Sequence, residues 1–274
     1  MAVRVALRSY RELPESVRRA VADRVGDSSS VVDLIHGTSS GFAALLSAPD
    51  GGSVFVKGLP AGHERTAELE VESTVAPFLP LFAPRLLWRT AAGGWTILAF
   101  EGITSLSPWA DFSADDSPHL ESVTAVLREL STTAAPPEAG LRPAWERWKE
   151  YCDPADEPLL TGDRLVHGDP AATNFLPGQN RTWLIDWAWA AQGPGWLDAV
   201  LWGQRLVLDG QQTPEQAARW CERIPAFTRA PREAVVVLAE ADARSWKAWQ
   251  EYGTPGLERH VAASRAWADH WQTP

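Results

Sequence analysis

Two short apolar segments, Leu165-Val166 and Leu184-Ile185, each run into an acidic residue: the first through His167-Gly168 into Asp169, the second directly into Asp186-Trp187, with Asn174 five positions after the first acid. Taken singly, each piece has an ordinary reading. Gly168-Asp169 followed by Pro170 suits a turn, and Asp186 could cap amides at a strand end. Together they ask for three residue types at two spacings, with an apolar strand leading into both acids. That combination constrains the chain more than anything else in it.

The order Asp, Asn, Asp is that of a phosphoryl-transfer site, in which one Asp accepts the proton of the acceptor hydroxyl, an Asn further along the loop holds a magnesium ion, and a second Asp beyond the next strand holds the metals. Asp169 is the expected base, and Asn174 and Asp186 are the expected metal ligands. His167, two positions before Asp169 on an extended segment, is expected to point into the core as a structural residue. His167-Gly168-Asp169-Pro170-Ala171-Ala172-Thr173-Asn174-Phe175 and Ile185-Asp186-Trp187 resemble the signature pair of the aminoglycoside phosphotransferase and choline-kinase-like family. The resemblance covers almost the whole chain. It implies an α+β, protein-kinase-like two-lobe fold: a small antiparallel-sheet N-lobe with one helix (residues 1–100) and a larger, mainly helical C-lobe (101–274). It also implies ATP, with GTP compatible, and Mg2+ as cofactors. The acceptor it implies first is a hydroxyl of a small cationic molecule, an aminoglycoside or a related antibiotic, which would make the protein a resistance determinant. A metabolic kinase for an amino alcohol or a sugar is the alternative, and a catalytically dead nucleotide-binding regulator is a third.

The formal net charge of -10 argues against a nucleic-acid surface, which needs clustered Lys and Arg, and is compatible with a cationic substrate. No uncharged apolar run reaches membrane-span length, and Arg4, Arg8, Arg11 and Glu12 interrupt any signal-peptide core. The expectation is a cytoplasmic monomer or homodimer with no membrane partner. Cys152 and Cys221 lack the spacing of a zinc site or a disulfide framework. The 15 tryptophans are far more than usual; core packing is the expected role for most, a cation–π platform for some.

In chain order, Val17, Val21 and Val25 recur at helical spacing behind Pro14. Strands are expected at Val31 to Ile35, Gly41 to Leu46 and Ser53 to Lys57, separated by turn-rich segments. The turn from Gly37 to Gly41, with Ser39 and Ser40, is expected to lie over nucleotide phosphates, although it also reads as a plain hairpin. Lys57, ending Val54-Phe55-Val56, resembles the kinase lysine that reaches the α- and β-phosphates. Its partner is expected on the helix from Glu64 to Ala76. At 3.6 residues per turn Glu72 falls between Leu69 and Ala76 on the apolar face, Glu70 points away, and Glu68 is the runner-up. Pro77, Pro80 and Pro84 end that helix, and Arg85 to Arg89 and Trp95 to Phe100 complete the sheet. Phe100-Glu101-Gly102-Ile103 is the expected hinge, where main-chain groups of Glu101 and Ile103 meet the adenine edge.

The remainder reads as helices: about Pro118 to Thr132, a segment with Trp145, Trp148 and Tyr151, then Trp196 to Leu208, Pro214 to Arg223, Pro231 to Tyr252 and Leu257 to Trp271. Asp198 is assigned to structure in a helix first turn. Val235, Ala239, Asp242, Trp246 and Trp249 share one helix face, and Asp242 breaks that apolar stripe with a charge. Either an internal arginine neutralises it, or Asp242 and Trp246 wait for a cationic ligand.

Overall fold

A computed structural model describes residues 7–26, 30–34, 40–47, 51–113 and 115–272. The chain divides into two compact units, Met1–Thr104 and Ser105–Pro274. In the first, helix α1 (Glu15–Val25) precedes strands β1 (Ser30–Asp33), β2 (Phe42–Ser47) and β3 (Ser53–Pro60), helix α2 (Thr66–Val75), and strands β4 (Leu86–Ala92) and β5 (Trp95–Glu101). The strands form an antiparallel sheet of order β1-β2-β3-β5-β4.

Alternation along β3 and β5 gives the sheet two differently covered faces. Val56, Ile97 and Ala99 join Phe42, Ala44 and Leu46 in a core closed by Tyr10, Leu13, Val17 and Val21. The unit therefore holds a second helix, α1, besides the one next to β3. On the other face Leu59, Leu98 and Phe100 pack with Leu69 of α2. Lys57 pairs in register with Leu98, so its side chain belongs to the α2 face.

The second unit contains helix α3 (Pro118–Leu130), a short α4 (Trp145–Trp148), strands β6 (Arg164–Val166), β7 (Phe175–Pro177), β8 (Thr182–Leu184) and β9 (Ala191–Gly193), and helices α5 (Leu197–Leu208), α6 (Pro214–Cys221), α7 (Pro225–Thr228), α8 (Arg232–Glu251) and α9 (Glu258–Gln272). Strand β6 pairs with β9, and β7 with β8. Trp148, Trp202 and Trp267 are among its fully buried side chains, the packing role expected of most tryptophans. Gly203 explains how one of them fits: a Cβ there would stand 2.2 Å from the Trp267 ring, so only glycine lets the indole lie on α5. No helix among the described residues is long and apolar enough to cross a membrane.

Candidate active site

In the first unit the structure brings Lys57 and Glu72 together. The ammonium lies 2.6 Å from Glu72 Oε2, and the two residues are 5% and 3% exposed. Burial follows from position, because β3 and α2 bury the face each side chain leaves. Glu68 is bound instead by Arg65 at 2.8 Å, and Glu70, on the outer face, pairs with Arg89. Ser40 is buried just before β2. Ser39 lies outside the described residues. At the end of β5, Glu101 accepts through its carboxylate from the Arg85 amide (3.1 Å) and Nε (3.0 Å), and its own amide donates to the Arg85 carbonyl. Ile103, two residues on, makes no main-chain hydrogen bond among the described residues.

In the second unit Asp169 follows β6, and its loop is fastened from three directions. His167 is fully buried: its Nδ1 accepts the Asp169 amide at 3.2 Å, its Nε2 lies 2.9 Å from the Ile185 carbonyl, and Trp187 stands edge-on to the ring at 4.8 Å. With the amide donating to Nδ1, the proton belongs on Nε2. His167 is thus a bracket between the two acid-bearing segments. Asp198, in the first turn of α5, does not cap its own helix. Its two oxygens accept the amides of His167 and Gly168, each at 2.8 Å. Burial pushes this carboxyl up from its ordinary value, against the pull of His167 and the two amides. Gly168 has φ +83°, and a Cβ there would meet the Trp189 carbonyl at 2.7 Å. Left-handed backbone and close approach both demand glycine.

The Asp169 carboxylate itself is held by two side chains. Arg205 Nη2 of α5 donates to Oδ1 at 2.6 Å; Asn174 Nδ2 donates to the Asp169 carbonyl at 2.8 Å and to Oδ2 at 3.3 Å. Burial raises the Asp169 pKa, but Arg205 and then Arg147 and His167 outweigh it, and the net direction is down. Neither Arg205 nor Arg147 carried a signal in the sequence, since each reaches the loop from a distant helix. Arg147 Nη1 donates to the Gly168 carbonyl, and its guanidinium stacks between Trp148 (4.7 Å) and Trp189 (4.8 Å).

Asn174 and Asp186 are brought to one end of the β7–β8 hairpin, where the Ile185 amide donates to the Asn174 carbonyl at 2.9 Å. Because Asn174 Nδ2 faces Asp169, its Oδ1 faces away and has no hydrogen-bond partner among the described residues. Asp186 adopts φ 64° and ψ 64°, a left-handed conformation uncommon outside glycine and tolerated by Asp. An amide oxygen and a carboxylate at adjacent positions form the hard, oxygen-only donor set that suits Mg2+, which takes few protein ligands and completes its shell with water and phosphate.

Asp242 has internal hydrogen-bond partners. It is 5% exposed, and its oxygens accept from the indole N–H groups of Trp148 (3.3 Å) and Trp246 (3.0 Å). Arg147 and Arg205 act on it electrostatically, while burial pushes its pKa up. These partners are indoles rather than the expected arginine: no arginine among the described residues is within ion-pair distance of Asp242, which with Trp246 lines a small cavity beside Asp169. Trp246 is buried, with Arg205 over its ring at 5.5 Å.

No family model and no curated protein matches the sequence. Solved structures do match in three dimensions. A choline kinase from Streptococcus pneumoniae superposes with TM-score 0.60 at 15% identity, over 92% of this chain and 99% of that one. A macrolide 2'-phosphotransferase from Brachybacterium faecium gives 0.57 at 17%, over 94% and 98%. An aminoglycoside phosphotransferase variant, in ternary complex with ADP and hygromycin B, gives 0.58 at 15%, over 92% and 99%. The chain has the protein-kinase-like fold of these phosphotransferases. At such identities the likeness concerns the fold.

Proposed function

We propose that the chain is an O-phosphotransferase that moves the γ-phosphoryl group of ATP to a hydroxyl of a small molecule. One observation carries the reading: Asn174 turns its amide nitrogen to Asp169 and its oxygen away, and the Ile185 amide on its carbonyl brings the next residue, Asp186, to the same end of the β7–β8 hairpin. Asp169 orients the acceptor hydroxyl and takes its proton. The acceptor oxygen bonds to the γ-phosphorus as the bond from that phosphorus to the bridging oxygen breaks, and the electron pair leaves on ADP. Lys57, fixed by Glu72, contacts the α- and β-phosphates, with main-chain groups of Glu101 and Ile103 at the adenine edge. Asn174 and Asp186 would hold Mg2+, which supplies charge neutralisation on the phosphates when bound. Catalysis of this kind is positioning and electrostatics, without a covalent intermediate.

A fold shared by phosphotransferases of choline, macrolides and aminoglycosides leaves several acceptor classes to test. Coupled ADP release is measured with ATP and magnesium over aminoglycosides, macrolides, cyclic peptide antibiotics, amino alcohols, sugars and hydroxy acids. Turnover of one class, lost in Asp169→Asn, supports the reading. ADP release that persists in Asp169→Asn sinks it.

A further inference from the structure

A cavity of about 10 Å³ adjoins Asp169, lined by Arg147, Gln204, Arg205, Asp242 and Trp246 together with the Gly168-Pro170 turn and Leu201. That is room for about one oxygen-sized atom. One buried donor in its lining lacks an acceptor. Gln204 is 3% exposed, and its Nε2 has no hydrogen-bond partner. Arg147 uses only Nη1, on the Gly168 carbonyl, and among the described residues no carboxylate lies within ion-pair distance of it. Each oxygen of the two lining carboxylates already accepts one donor: those of Asp169 from Arg205 and Asn174, those of Asp242 from two indoles.

A half-buried guanidinium with N–H groups to spare, beside a buried amide that lacks an acceptor, favours a ligand that brings one. A ligand ammonium in the same place would stand against two guanidiniums, and would leave the Gln204 amide without an acceptor. We propose that the acceptor is a hydroxy acid, its carboxylate received by Arg147 and Gln204 beside Asp169. One carboxylate oxygen enters the cavity. The other stays outside it, on the Arg147 guanidinium, and the hydroxyl is set against Asp169. The choice of substrate class rests on the phosphotransfer reading; the carboxylate site does not.

The test is calorimetry on the full chain with ADP and magnesium present, using two matched triplets: glycerate, glycerol and 3-aminopropane-1,2-diol; gluconate, sorbitol and 1-amino-1-deoxysorbitol. The acid of each triplet should bind at least about tenfold more tightly than its uncharged and amino partners, the worth of one charge-assisted pair. Arg147→Met should abolish that preference, Arg147→Lys should keep part of it, and Gln204→Leu should weaken the acid alone. Melting curves show that each variant is folded, and Gln204→Leu carries the test if Arg147→Met is not, because Arg147 also holds the Gly168 carbonyl. Equal binding across a triplet, preference for the amine, no binding of either acid, or an acid preference that survives in Arg147→Met and Gln204→Leu would each overturn the proposal. ADP affinity in the same titrations reports on the nucleotide reading separately: loss of ADP binding with the acid preference intact removes the phosphotransfer assignment and leaves the carboxylate site.

Discussion

Asp169 is a carboxylate whose two oxygens and main-chain carbonyl are each assigned a donor before any substrate arrives. Such fixing suits a group whose task is to orient a hydroxyl, since misplacement of a reacting atom by even an ångström is costly. Asp169→Asn should lower turnover by roughly 10²- to 10⁴-fold, the worth of a positioned base, with ADP affinity near that of the parent. Steady-state kinetics and calorimetry on one preparation check this; equal loss in both would make Asp169 a nucleotide-binding residue. Arg205→Met should lower kcat by at least about tenfold through loss of orientation, and Arg205→Lys should recover part of it. The acid itself was legible in the sequence because its partners in pattern, His167, Asn174 and Asp186, are near in the chain. Arg205 was not legible: it lies 36 positions away on another helix, and a lone arginine in an apolar helix carries no local mark of what it faces.

Helix α2 shows what periodicity can and cannot specify. Winding at 3.6 residues per turn puts Glu72 on the buried face and Glu70 outside, and the structure has Glu72 on Lys57 and Glu70 on Arg89. Removing one partner of a buried ion pair strands the other, at about 3–5 kcal/mol, whereas an exposed pair is worth about 0–1 kcal/mol. Glu72→Gln should therefore lower both melting temperature and turnover, and Glu70→Gln should leave both nearly unchanged; the reverse ranking would mean that the pair seen here does not govern the enzyme. The pairing of α8 with α9 is of another kind. Glu240 accepts from Arg265 at 2.6 and 3.0 Å, from Arg244 and from Gln272, and these bonds, led by Arg265, hold its pKa below the ordinary 4.5. A depressed acid contributes stability above its unfolded pKa and loses it as pH falls through the folded value. The melting difference between the parent and Arg265→Met should thus be full at pH 7 and shrink below about pH 4.5. A difference that grows on acidification would refute the linkage. Helices and strands were legible because their periods are local, and so was the assignment of Asp198 to structure. Its use was not: the carboxylate fastens the His167-Gly168 amides 30 and 31 positions back rather than the amides of its own helix.

At the scale of the whole molecule, two cores of different kinds hold the proposed site residues. The first is a sheet whose faces are covered by α1 and α2, and it encloses Lys57. The second is a tryptophan-rich helical core through which α5 delivers Asp198, Gln204 and Arg205 to the Asp169 loop. Because α5 supplies all three, its packing against Trp267 through Gly203 is part of the site's construction. A nucleotide that binds only the folded chain must raise its stability by mass action, about 2.7 kcal/mol at a hundred times Kd, which for a chain of this size is a melting shift of roughly 5–10 °C. That shift should appear with ADP and magnesium and fall away with ADP and a chelator if, as proposed, Asn174 and Asp186 hold the phosphates only through the cation. Lys57→Met and Asp186→Ala should lose most of it, while Asp169→Asn, which touches the acceptor, should keep it. If the shift is the same with and without magnesium, or persists in Asp186→Ala, the oxygen pair at the end of the β7–β8 hairpin is not a metal site, and its left-handed Asp186 must be explained by the turn alone.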